Sequence, residues 1–464
     1  MDKFFKFKEV GTNYKTETIA GITTFFTMAY IIFVNPSILS AAGMSWDGVF
    51  VATIIATVIG TLIMALVANV PFAVAPGMGL NAFFTYTVCF ALGFVWPEAM
   101  AMVFICGIIN IIITVTKIRK IIIKAIPRSL QLAIGGAIGL FIAYIGLKNA
   151  GFLTYGATLE GATSGADVVP ALASFSDPGA IVALVGLLVI VVLMYLKING
   201  AMLIGIITAT IVAIPLGVVT LPPLDELFAN RMGAVGDVAF SFFGSPGFGS
   251  LFSDPARVLP ALLVIFAFSL TDTFDTVGTL IGTGRKSGIF DAADEKALTE
   301  SGGFKSKMDK ALFADSIATS IGALAGTSNT TTYIESASGI NVGGKTGFAS
   351  VVTAVMFLLC LPFAALFGLV PGQATAPALI VVGILMAESF NDVKWNQFEE
   401  AAPAFLTVIV MAFAYSISYG IAAGFIFYCV AKLANKKAKE IHPVIWISTV
   451  LFILNFIVLA LGII

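Results

Sequence analysis

Charge is scarce in this chain. Of its 464 residues only 11% are Asp, Glu, Lys or Arg, whereas 59% are hydrophobic. A soluble domain carries about 25% charged residues, so a water-soluble globule is excluded and an integral membrane protein is expected. The formal net charge is −1, without the basic surface that phosphate binding requires, so no nucleic-acid partner is expected. Histidine occurs once, as His442 beside the basic tail. Ser–His catalysis or a histidine-bound catalytic metal needs an imidazole inside the site, and this one is misplaced for either role and for a proton relay. The four cysteines (Cys89, Cys106, Cys360 and Cys429) lie in apolar segments without ligand-like spacing. They read as packing residues, and no disulfide framework, metal or other cofactor is expected.

Long apolar runs take the place of the missing charge. Residues 49–68, 182–196, 201–219 and 351–369 are examples that approach or exceed the roughly 20 residues needed to cross a bilayer as helix. Hydrocarbon offers no partner to a free backbone group, and the alternating pattern of a barrel is absent, so the spans are helices. About 14 spans of ordinary length are expected, while 442–464 reads either as an additional span or as a surface segment. Residues 1–15 are polar and a full-length span follows directly, so no cleavable signal peptide is expected. Lys3, Lys6, Lys8 and Lys15 precede that span and place the amino terminus in the cytoplasm. Lys117, Arg119, Lys120, Lys124 and Arg128, then Arg285, Lys286, Lys296, Lys305, Lys307 and Lys310, then the basic 432–439 segment return to the same side. The stretches 149–177 and 222–254 are poor in Lys and Arg, as external loops are.

The chain divides near the polar loop 222–254, and each half repeats one order of hydropathy: a Thr-rich helix, a second helix, an interrupted segment, a fourth helix and three more spans. An odd number of spans per half inverts the second half, the arrangement of inverted-repeat transporters, whose site lies at the interrupted segments near mid-membrane. In the first half Pro71, Pro76, Gly77 and Gly79 break an apolar run just before Asn81. In the second, GTSNTTTYIESASGINVGGKTG from Gly326 carries Glu335 among hydroxyls and glycines. An ionisable residue there is costly and points to function. Its alternative is a structural pairing with Lys345 or a backbone N–H. Asn81 reads either as an amide facing a ligand or as a cap of the half-helix. Between the breaks, FAFSLTDTFDTVGTLIGTG from Phe266 places Asp272 and Asp275 at i and i+3, with Ser269, Thr276 and Thr279 extending the polar face. Such a stripe faces a cavity or another polar surface, either lining the site or bonding a neighbouring broken helix. Asp315 reads as a structural residue near a cytoplasmic helix start. The glycines of IGGAIGLF (Gly135, Gly136 and Gly139) read as helix-packing surfaces.

Two other readings remain beside a transporter with acids at its centre. An anion transporter of this architecture would use half-helix N-termini and a cation at the site, but acids occupy the centre and Lys and Arg do not. An intramembrane enzyme would need Asp272 and Glu335 as a carboxylate pair.

TETIAGITTFFTMAYIIFVNP from Thr16, APGMGLNAFF, TDTFDTVGTLIG, GTSNTTTYIESASG and PALIVVGILM from Pro377 together resemble the nucleobase–cation symporter 2 superfamily. The closer similarity is to its azaguanine-type branch of hypoxanthine, guanine and adenine permeases. The resemblance implies an all-α polytopic fold, a seven-plus-seven inverted repeat whose segments 3 and 10 are each part strand and part helix. It implies a core domain of 16–128 and 255–370 and a gate domain of 129–225 and 371–464, the latter including the hydrophobic C-terminal segment. The implied function is proton-driven uptake of purine bases across the cytoplasmic membrane by movement of core against gate. The implied substrate-binding residues are Glu335, Asp272, Asp275 and Asn81, with Thr332 and Ser336 as lesser candidates; the proton would ride on Glu335, Asp272 or Asp275. The TDTFDT form is similar to hypoxanthine- and guanine-type members, with an adenine-preferring permease as the alternative. The implied partners are a purine base, a proton and lipid, and a homodimer is expected only because related folds form them.

Overall fold

The computed structural model of the protein describes residues 2–116, 125–157, 168–223, 226, 231–286, 288–291, 294 and 306–460. Lys117, Arg119, Lys120, Lys124, Lys296 and Lys305, on which part of the orientation rests, lie outside the described residues.

The first half opens with α1 (Tyr14–Met28), started by Asn13, whose side chain accepts from Thr16 N at 3.0 Å. It continues almost unbroken into α2 (Ile31–Ser40), then α3 (Trp46–Ile63), which Ser45 caps and which extends as a π-helical turn, Met64–Ala68. The interrupted segment is a strand, β1 (Val74–Pro76), then α4 (Met78–Ala82) and its π-helical continuation Phe83–Ala91. Next come α5 (Trp96–Val115), α6 (Arg128–Asn149), a hairpin of β2 (Leu153–Ala157) and β3 (Val168–Leu172), α7 (Pro178–Tyr195) and α8 (Ala201–Ala213). The second half repeats the order with α9 (Pro255–Lys286), α10 (Lys307–Ala325), β4 (Thr330–Thr332), α11 (Ser336–Asn341), α12 (Gly347–Leu358), α13 (Gly372–Met386), α14 (Phe398–Phe413) and α15 (Ile417–Ala434). Nine helices among the described residues are long and apolar enough to cross a membrane, and several shorter apolar ones accompany them. Each half therefore supplies seven segments, the third of each part strand and part helix, as expected.

A further helix, α16 (Pro443–Ala460), lies beyond these. Cys429 contacts Thr449, and the rings of Tyr419 and Phe456 lie 5.5 Å apart. It therefore packs antiparallel against α15, as one of the shorter apolar helices that accompany the nine.

The helices pack in two sets. In one, α10 lies against α3 and α5, α12 against α1 and α3, and α11 against α1. In the other, α6 lies against α13 and α14, α7 against α8 and α13, and α14 against α15. Small residues permit the second: a Cβ added to Gly139 would stand 2.5 Å from Met386 Cβ and 3.1 Å from the Gly383 carbonyl. The IGGAIGLF glycines thus bear out the packing expectation. Where the sets meet, α2, α4 and α9 face α6, α13 and α15.

The interrupted segments cross in the middle of the first set. β1 and β4 pair antiparallel, Val74 opposite Thr332 and Pro76 opposite Thr330. Three residues make a short ladder, and unpaired backbone groups cost several kcal/mol each in hydrocarbon, so side chains complete it. Thr61 on α3 donates to Val74 O and accepts from Val74 N, both at 3.0 Å. Ser350 on α12 donates to Val70 O and Phe72 O, Ser336 accepts from Ala73 N, Thr319 donates to Thr330 O, and Tyr333 donates to Pro76 O. Glu17, fully buried in α1, accepts from Lys345 N, Thr346 N and Thr346 Oγ1 and ties the loop after α11 to the first helix.

Thr61→Val keeps shape and removes both hydrogen bonds to Val74, leaving buried groups unmet. The expected loss is about 1–3 kcal/mol of stability, read as a lower Tm of the detergent-purified protein, with Thr61→Ser close to wild type. A Thr61→Val protein of unchanged Tm would show that the strand does not need this hydroxyl.

Candidate functional site

Glu335 stands between β4 and α11, half-buried, beside Ile334 at 53% exposure. The hydroxyl of Tyr30, in the link between α1 and α2 and itself buried, donates a short hydrogen bond to Glu335 Oε1, and Thr27 Oγ1 lies 3.4 Å from the Glu335 carbonyl. A carboxylate accepts several hydrogen bonds, so one phenol leaves acceptor capacity. The expected alternative partner, Lys345, instead donates its ammonium to Val10 O at 3.1 Å.

The two aspartates of α9 have different surroundings. Positions i and i+3 differ by about 60° around a helix, enough to divide them here. Asp272, 1% exposed, points inward; its Oδ2 accepts from Asn110 Nδ2 at 2.7 Å and Thr319 Oγ1 at 3.2 Å, while its Oδ1 has no partner. Asn110 in turn accepts a short hydrogen bond from Ser269. Asp275 is half-buried, has Thr331 of β4 as a hydrogen-bonding neighbour, and lies within electrostatic reach of Glu335, Tyr30 and Tyr333. Asp275 is likewise within electrostatic reach of Asp272 and Asp315, and of the two aspartates of α9 it is the less deeply buried. A dyad of Asp272 and Glu335 is not formed, each having its own partners.

Asp315 corrects the sequence expectation. It lies midway along α10, not at a helix start, and accepts from Thr276 Oγ1 at 2.8 Å and Thr332 Oγ1 at 2.7 Å. It therefore joins α9, α10 and β4 at the crossing. Thr332 is committed to that bond, and Ser336 to the backbone of Ala73. Asn81 is inside α4, whose cap is Gly77, so the capping alternative does not hold. Its amide donates to Asn35 Oδ1 at 3.0 Å, and Asn35 donates to Thr53 and Thr327. Asn81 Oδ1 is buried without a partner. These contacts brace the two broken segments against α2 and α3.

Sequence reasoning missed Tyr30, Asn110, Thr319 and Asn35. Asn110 and Asn35 are amides inside apolar runs, a signal that was available. Tyr30 had none, since a phenol in TTFFTMAYIIF looks like packing until the fold sets it against Glu335.

A family model described as "Permease family" matches residues 15–460. The chain belongs to that family. The permease is 41% identical over 468 residues to the guanine/hypoxanthine permease PbuO of Bacillus subtilis, covering 98% of this chain and 100% of that protein. It is 39% identical over 460 residues to the adenine permease AdeP of Escherichia coli, covering 98% and 96%. Among solved structures, it resembles the transmembrane domain of a cyanobacterial bicarbonate transporter, BicA, with a TM-score of 0.60 over 89% of this chain and 97% of that one, at 17% identity. That likeness is one of fold, a seven-plus-seven inverted repeat. The azaguanine-type resemblance read from the motifs agrees with the family and the relatives, which are transporters and not enzymes.

Burial separates the permease's two aspartates experimentally. Asp272→Ala removes the carboxylate that accepts from the Asn110 amide at 2.7 Å and is expected to cost about 1–3 kcal/mol, read as a lower Tm. Asp275→Asn, at a half-exposed position, is expected to leave Tm unchanged and abolish substrate binding. Equal Tm losses in both would contradict the assignment.

Proposed function

We propose that this permease moves purine nucleobases across the cytoplasmic membrane by alternating access, coupled to protons. The observation that carries the reading is that Glu335 and Asp275 are both half-buried, within electrostatic reach of each other, beside the crossing of the two broken segments. Guanine/hypoxanthine and adenine permeases among the relatives support the class of substrate. A carboxylate acceptor makes hydrogen bonds about twice as strong as a neutral one, which suits a heterocycle presenting N–H groups. Oxopurines offer N1–H and, in guanine, an exocyclic amine, whereas adenine presents a bare N1 acceptor. Hypoxanthine and guanine are therefore the preferred cargo in this reading. A carboxylate in a low-dielectric site also takes up a proton readily, and Glu335 and Asp275 supply two.

In this mechanism the set containing 16–128 and 255–370 carries the base, and the set containing 129–225 and 371–464 is the gate against which it moves. The lysines before α1 place the amino terminus in the cytoplasm. Tyr30 holds the Glu335 carboxylate in orientation, and Asp272, Asp315 and Asn81 keep the crossing rigid beneath it.

Uptake of labelled hypoxanthine into cells, with and without a protonophore and with guanine and adenine as competitors, tests the reading. Wild type is expected to concentrate the base, to lose that ability with the protonophore, and to be competed more strongly by guanine than by adenine. Glu335→Gln is expected to abolish concentrative uptake at unchanged expression. Near-normal uptake by that variant would overturn the assignment.

A further inference from the structure

A cavity near the seam contains neither Glu335 nor any aspartate. It measures about 350 Å³ and lies between α2 and the start of α13, within the range of about 300–1,000 Å³ that small-molecule sites occupy. Val34 and Ser37 line it from α2, Gln373 and Thr375 from α13, Asn149 from the end of α6, and Tyr86 from the continuation of α4. Both helix sets therefore contribute. Val34 is one turn along from Tyr30, whose carbonyl accepts its N–H at 3.1 Å. The lining thus starts one helical turn along α2 from the residue whose phenol holds Glu335.

The lining has a consistent chemistry. No ionised side chain borders the cavity; the nearby Lys148 ammonium lies over the Tyr86 and Tyr415 rings, 5.8 and 5.3 Å from their centroids. The Gln373 carboxamide makes no hydrogen bond among the described residues, although it is half-buried. Asn149 donates to the Tyr86 hydroxyl at 3.3 Å, which leaves its own Oδ1 open. Ser37 and Thr375 spend their hydroxyl protons on backbone carbonyls of Phe33 and Gly372, which leaves their oxygens as acceptors. At the start of α13 the Ala374 and Thr375 N–H groups donate to Pro371 O, and those of Gly372 and Gln373, the first two of the helix, have no intrahelical partner. Two carboxamides, a phenol and free helix N–H groups supply donors and acceptors without charge. That combination suits a neutral, planar molecule with alternating N–H, ring-nitrogen and carbonyl groups, and it disfavours an anion or a cation.

We propose that this seam cavity is a second, weaker nucleobase site, in which the Asn149 and Gln373 carboxamides hold the polar edge of the base one turn from the Tyr30–Glu335 contact. The proposal rests on the nucleobase reading above. With the amino terminus in the cytoplasm the cavity is on the outer side. A base held there meets Glu335 next, once α2 and α13 shift. The absence of charge makes this site the weaker one, because only the inner site offers charge-assisted hydrogen bonds.

Calorimetric titration of the purified full chain with hypoxanthine tests it. Wild type is expected to show a tight and a weak component. Glu335→Gln should lose the tight one and keep the weak one. Adding Asn149→Leu and Gln373→Leu to Glu335→Gln should weaken the remaining component at least tenfold, whereas Glu335→Gln with Gln373→Asn, which retains a carboxamide, should preserve it. A circular-dichroism melt of each variant distinguishes lost binding from lost folding. A single wild-type component abolished by Glu335→Gln would overturn the second site and leave the nucleobase reading intact. So would a weak component indifferent to both leucine substitutions. Wild type that binds no purine at all would overturn both.

Discussion

The hydrogen-bonding demand of backbone in hydrocarbon governs this structure. A helix meets that demand within itself; a broken helix does not. Two breaks placed against each other meet part of it through the β1–β4 pairing, but three residues per strand leave the flanking groups unpaired. Hydroxyl side chains from four surrounding helices supply the remainder, among them Thr61, Thr319, Ser336 and Ser350. The abundance of Ser and Thr around the crossing is therefore a structural requirement first, and only the residues it leaves over are free to meet a ligand.

That division explains the unequal acids. Asp272 and Asp315 are tied into the scaffold, each accepting two hydrogen bonds from side chains of neighbouring elements, although Asp272 Oδ1 stays open. Removing one partner of a buried polar network leaves the others unmet. Asp275 and Glu335 lie at the margin of the same network, where partial exposure leaves them acceptor capacity. The interior at the crossing is densely hydrogen-bonded, with a few buried acceptors such as Asn81 Oδ1 left open, and two half-exposed carboxylates stand at its edge, an arrangement suited to holding a small polar molecule.

The seam between the helix sets differs in kind from either interior. Within the second set, glycine and alanine bring α6 and α13 into backbone contact, as at Gly139 and Gly383. Across the seam the contacts are fewer and a cavity intervenes. Two well-packed bodies with a looser boundary can slide or rock without either being remade, and a site built on one body's edge then changes its exposure as the boundary shifts.

Much of this was legible beforehand, for physical reasons. Scarcity of charge and the length of the apolar runs determined a polytopic helical protein, because lipid permits little else. Pro71, Pro76 and Gly77 in one half and the Thr327–Thr332 run in the other determined where helices break, since Pro lacks the N–H and Gly lacks the restraint that a continuous helix uses. Glu335 and the α9 aspartates stood out because acids are rare in such surroundings. Which acid is bonded into the scaffold was not legible: Asp272 and Asp275 differ by one helical offset, and only the position of Asn110 and Thr319, 162 and 47 residues away in the chain from Asp272, decides it. Asp315 and Tyr30 acquired their roles the same way, one drawn into the crossing by Thr276 and Thr332, the other set against Glu335 from 305 residues away. Local sequence determines where a chain may bend and what it must bury; the partners of a buried polar group are a property of the folded whole.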